Sequence, residues 1–245
     1  MAQLTAAVVG TNLSYILLTF LPPILWLLFY LREDAHPEPK LLLLLTFVGG
    51  MASALLALAG ECVWVLFVHG SCQGGISPEA NPIILFLGIA LIEEYVKYLP
   101  VKFLILRRPD FDEPVDAMIY MLTAALGFAA LENTLFLLPL FRESVATGLE
   151  VSVNRFLGAN LLHALSSGLV GFFLARTWFS PHRHHFVALG IIIASLLHAG
   201  FNYLILVRGT LSQGTFYIIL LLSVMAVMVF IDFERLRGSA QKLER

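Results

Sequence analysis

Glu93, Glu94 and Lys97 stand inside a run, Pro82 to Leu106, that is otherwise apolar. A charge at mid-bilayer costs at least about 2.5–3.5 kcal/mol on insertion scales, so such groups face a protein interior and mark a function. On a helix, Glu93 and Lys97 are four residues apart and Glu94 and Lys97 three, so the amine reaches either carboxylate. The second carboxylate then needs another partner. Three further apolar stretches supply candidates. One carries Phe128, Glu132 and Asn133, one carries Asn160, His163, Ser166 and Ser167, and one carries Ser195, His198 and Asn202. Asn160, His163 and Ser167 follow i, i+3, i+7 spacing, as do Ser195, His198 and Asn202, so each set lines one helix face.

Glutamates and imidazoles gathered in a water-poor site suit hydrolysis. A carboxylate activates water, His and Asn side chains serve a developing oxyanion, and a metal can replace several of these roles. Zinc accepts ligands of the types at Glu94, Glu132, His163 and His198. No His-Glu-x-x-His signature is present, so a metal site and a metal-free glutamate mechanism both stay open. A Gly-x-Ser-x-Gly turn is also absent, which leaves a serine mechanism without support. A lone intramembrane His or Asn would be interhelical glue, but three carboxylates with two imidazoles ask for more than glue. Glu61 is an accessory candidate. The Pro181–His185 cluster and the Asp110, Asp112, Glu113 turn read as solvated loops.

Seven stretches long enough to cross a bilayer must position these groups, at roughly 8–31, 41–69, 82–106, 115–141, 152–179, 186–207 and 213–233. With 59% hydrophobic and 13% charged residues, the 245-residue chain is expected to be an integral membrane protein, all-α and polytopic. No secretory signal peptide, repeat or added soluble domain is evident, so 1–245 reads as one membrane domain with no nucleic-acid partner. Pro22-Pro23 should kink or break the first helix. With Lys97 set aside, eleven basic residues fall on one face and three (Arg142, Arg155 and Arg208) on the other, which puts the N-terminus outside and the C-terminus in the cytoplasm. In that frame Glu93, Glu94, Glu132, His163 and His198 share one depth, between mid-membrane and the outer half, and are expected to line one water-accessible cavity. Cys62 and Cys72 read as two unpaired thiols.

The chain resembles the PrsW-type intramembrane proteases, relatives of the CAAX prenyl endopeptidase and bacteriocin-processing superfamily. The resemblance rests on Glu93-Glu94-x-x-Lys97, Phe128-x-x-x-Glu132-Asn133, His163-Ala-Leu with Gly168, and His198-x-x-x-Asn202, in the family's order and each in its own span. It covers roughly 82–206, the expected catalytic core. Two glycines of the family's Asp-Gly-x-x-Tyr-Gly pattern are replaced, leaving Asp116-Ala-Met-Ile-Tyr120-Met. Where prenyl endopeptidases carry His, this chain carries Glu132. The resemblance implies cleavage of a membrane-tethered protein, of the anti-sigma-factor class, in a bacterial or archaeal plasma membrane. It implies Glu93 and Glu94 as paired catalytic carboxylates, completed by Glu132, His163 and His198, with Asn202 supporting the oxyanion. Lys97, Phe128, Asn133 and Asn160 would support the site. The alternative is a proton- or cation-coupled transporter, against which stands the lack of mirrored halves.

Overall fold

The computed structural model describes residues 2–34, 36–70, 81–176, 183–210 and 213–243. Eight helices follow one another: α1 (Ala2–Tyr30), α2 (Lys40–His69), α3 (Pro82–Pro100), α4 (Asp116–Glu143), α5 (Val145–Leu157), α6 (Ala159–Ala175), α7 (Arg183–Val207) and α8 (Gly214–Leu243). No strand occurs among the described residues. Six stretches are long and apolar enough to span a membrane: Asn12–Glu33, Lys40–Val68, Asp116–Glu143, Val145–Ala175, His184–Val207 and Gly214–Leu236. α3 packs among them with Glu93, Glu94 and Lys97, all buried, in its C-terminal half. The protein is a polytopic helical membrane protein.

α4 is the axis of the bundle. Asp116 to Ala130 are buried without interruption, as expected of a helix apolar on every side, and α1, α2, α5 and α6 pack around it. Small residues permit the approach. A Cβ on Gly50 would collide with the Ala124 carbonyl oxygen, and one on Gly127 with the Phe47 carbonyl oxygen, so α2 and α4 cross backbone to backbone.

Four sequence expectations change. α1 continues through Pro22-Pro23 without a break, both prolines being buried, because packing replaces what their missing amides lose. The stretch between the fourth and fifth sequence spans, 115–141 and 152–179, is helical: only Ser144 separates α4 from α5, its side chain capping Thr147 N–H at 3.4 Å. The fifth span is divided at Gly158 (φ −104, ψ −93), which ends α5 and starts α6. Cys62 is disulfide-bonded, which corrects the reading of two free thiols; Cys72 lies outside the described residues. So do Pro181 and His182 of the histidine cluster. Beyond Pro100, α3 runs into a π turn, Val101–Ile105, closed by Leu106 N–H to Val101 O at 3.1 Å.

Candidate active site

Four helices bring the sequence candidates into one cluster. Lys97 Nζ lies 3.1 Å from Glu93 Oε2, 2.9 Å from Glu94 Oε1 and 2.8 Å from His163 Nδ1. One ammonium thus uses its three hydrogens on three acceptors, and Phe128 closes it off with its ring centroid 4.5 Å away. Because Lys97 donates to Nδ1, the His163 hydrogen sits on Nε2, which bonds Glu132 Oε2 at 2.8 Å. His198 makes the matching arrangement, donating from Nδ1 to Glu94 Oε1 at 2.9 Å.

The adjacent glutamates face different ways. Glu94 is fully buried, and its acceptors are filled by Lys97, His198, Ser166 (3.0 Å) and Ser167 (3.1 Å). It lines neither of the cavities that meet at the cluster, so the expected set of five cavity-lining groups becomes four. Glu93 lines both of them. One cavity, of about 260 Å³, lies between α2, α3 and α4 and is walled by Ala54, Ala57, Leu58, Glu61, Leu135 and Phe136. The other, of about 380 Å³, reaches the C-terminal ends of α5 and α7 and is walled by Asn154, Arg155, His163, His198, Asn202 and Arg208. Glu132 and Phe136 line both as well.

Glu93 Oε2 lies 3.8 Å from His163 Nδ1 and 3.9 Å from His198 Nε2. One ligand atom from each of these three buried residues falls within 4.8 Å of the others, a separation that suits shared coordination of one ion. The far nitrogens of both imidazoles are held by carboxylates, Glu132 and Glu94, which is the outer-shell pattern of metal-bound histidine. The donor set therefore fits a divalent metal that takes the place of the Lys97 ammonium on His163 Nδ1 and Glu93 Oε2. Of the four sequence-derived ligand candidates, His163 and His198 face the center, while Glu94 and Glu132 stand behind them, and Glu93 takes the carboxylate position.

Residues 38–230 match the family described as PrsW family intramembrane metalloprotease. The chain belongs to that family. It is an intramembrane peptidase. A protein named Protease PrsW from Geobacillus kaustophilus is 31% identical over 181 residues, covering 74% of each chain. Its namesake from Bacillus subtilis is 25% identical over 193 residues, covering 78% of this chain and 80% of its own. The one from Clostridioides difficile is 24% identical over 230 residues, covering 92% and 91%. No solved structure matches.

Asn160 stays out of the cluster. Its Oδ1 accepts from Asn133 Nδ2 at 3.0 Å, tying α6 to α4. Sequence reasoning missed Arg155, whose Nη2 pairs with Glu132 Oε2 at 2.9 Å and whose Nε donates to Asn133 Oδ1 at 2.6 Å. Its only signal was a basic residue at the start of a polar helix face. Ser166 and Ser167 were visible as polar neighbours, but their role as anchors of Glu94 was not.

Proposed function

We propose that this PrsW-family peptidase hydrolyses a peptide bond of a membrane-anchored protein in a bacterial plasma membrane, using zinc held by Glu93, His163 and His198. The observation that carries this reading is the convergence of Glu93 Oε2, His163 Nδ1 and His198 Nε2, with both far imidazole nitrogens tied to carboxylates. Zinc bound there would supply Lewis acidity, polarising the scissile carbonyl and acidifying a water. Glu94 fixes the ring of His198, and Lys97 offsets the charge that Glu93 and Glu94 bring into the bilayer.

Glu132 has a second task. Among the described residues only its Oε2 is engaged, and the residue opens on both cavities. Its Oε1 takes the proton of the attacking water and returns it to the leaving amine. Asn202, on the outer cavity wall, donates its amide hydrogen to the oxyanion. Because that cavity reaches Ile205 and Arg208 at the end of α7, the cut falls toward the extracytoplasmic end of the substrate span. A membrane-tethered anti-sigma factor is the substrate class this reading carries forward.

The test is cleavage of a single-span substrate in proteoliposomes, with metal measured in the same preparation. Exhaustive chelation abolishes cleavage and zinc restores it, with one ion per chain. Full activity in protein shown to be metal-free would overturn the zinc assignment.

A further inference from the structure

Arg155 belongs to α5, where the sequence places the start of the fifth span, and its side chain is only 14% exposed. Its guanidinium is held on three sides. Nη2 approaches Glu132 Oε2 at 2.9 Å, Nε donates to Asn133 Oδ1 at 2.6 Å, and Cζ lies 4.9 Å from the Phe136 ring centroid. Asn133 is itself anchored, donating to Asn160 Oδ1 at 3.0 Å and to the Thr19 carbonyl at 3.4 Å, so the arginine is fixed against α1, α4 and α6 together. The Nη2–Glu132 approach is an ion pair without hydrogen-bond alignment, so it sets the position of the carboxylate more than its angle.

Glu132 needs that restraint. Its side chain is 36% exposed and opens on two cavities, and its other protein contact is His163 Nε2 at 2.8 Å. A carboxylate so placed would otherwise turn into the cavity toward water. The His163 Nε2–H would then lose its acceptor, and the ring would be held only through Nδ1, which accepts from Lys97 at 2.8 Å.

We propose that Arg155 is a positioning residue of the peptidase. By pinning Glu132 Oε2 it leaves Oε1 at the junction of the two cavities and keeps the acceptor of the His163 Nε2–H in place, so the ring holds one orientation with Nδ1 facing the cluster. The kinetic part rests on the hydrolytic reading given above; the histidine part stands on the hydrogen bonds alone. Lysine at this position keeps the charge but not the planar fork that reaches Glu132 and Asn133 at once.

Full-length protein in nanodiscs tests this with Arg155→Gln, Arg155→Lys and, as a control, Arg142→Gln, an exposed arginine that bonds Asn12 at 3.1 Å. Two quantities are read: kcat and KM for a single-span substrate, and the nitrogen-15 NMR signature of His163 in metal-free protein. Arg155→Gln lowers kcat about 10- to 100-fold with KM unchanged, the range seen when an outer-shell partner is lost. Arg155→Lys recovers part of the loss, and Arg142→Gln matches the native protein. The His163 Nε2–H resonance carries the downfield shift of a hydrogen bond to a carboxylate in the native protein and loses it in Arg155→Gln. An unchanged Nε2–H resonance in Arg155→Gln overturns the proposal, as does a raised KM at constant kcat, which would make Arg155 a substrate contact. If no variant and no native protein cleaves anything, the hydrolytic reading fails, while the NMR comparison still decides the role of Arg155.

Discussion

Glu94 and Glu38 are both buried carboxyls tied to polar side chains of neighbouring helices, and they are tied in opposite ways. Glu94 meets only donors, one of them the fixed cation Lys97, the others His198, Ser166 and Ser167. Glu38, in the segment before α2, meets the Tyr120 hydroxyl at 2.6 Å and a second carboxyl, Asp116. Asp116 in turn accepts from the backbone amides of Asp112 and Glu113, at 3.0 and 2.8 Å. Burial, and after it the hydrogen bond with Asp116, push Glu38 up to about 9 against a modest opposing effect of Tyr120. The first environment is built to hold a charge in the membrane. The second is built to hold a proton at its edge, and two similar carboxyls acquire different work from their neighbours alone.

The largest effect that would break this contrast is expected at Glu93. Glu93→Gln removes the proposed metal-binding carboxylate, which both faces the cavities and touches Lys97, so cleavage in proteoliposomes falls by at least about 10²-fold. Glu38→Gln keeps most activity in the same assay. Equal losses in the two variants would dissolve the distinction.

Next come the serines. Ser166→Ala and Ser167→Ala each strip one hydrogen bond from a fully buried carboxylate, at a cost of about 1–3 kcal/mol of stability. Thermal unfolding in detergent reads this, and no shift in melting temperature for the double variant would show that Lys97 and His198 suffice.

The last test is a pH dependence. The folded pKa of Glu38 is raised from 4.5 to about 9, so its contribution is fully present below about 4.5, declines as pH rises and is gone above about 9. Stability measured from pH 5 to 9 by denaturant titration should therefore fall more in the native protein than in Glu38→Gln. Parallel profiles would remove Glu38 as the protonated partner.

Hydropathy and helical spacing made the spans legible, and with them the shared depth of Glu93, Glu132, His163 and His198. Rotation about each helix axis was not legible. Adjacent residues differ by about 100° around a helix, and nothing local says which of Glu93 and Glu94 turns to the cavity. That is decided by α6, whose two serines capture Glu94. α5 was hidden for a related reason: its polar face resembles a solvated connection until α4 and α6 are in place to receive Arg155. The continuity of α1 through Pro22-Pro23 likewise depends on what packs against it, a property no window of sequence contains.

The crossing of Gly50 and Gly127 bears on how accurately the peptidase can be assembled. At that point the spacing of α2 and α4 is the thickness of two main chains, with no side chain whose rotamer could make it vary. Glu132 follows Gly127 by five residues, about 7.5 Å of helix rise. The reach from that carboxylate to His163 is thus measured from a hard stop, and a single methyl group there would act as a shim, shifting a catalytic distance without touching a catalytic residue.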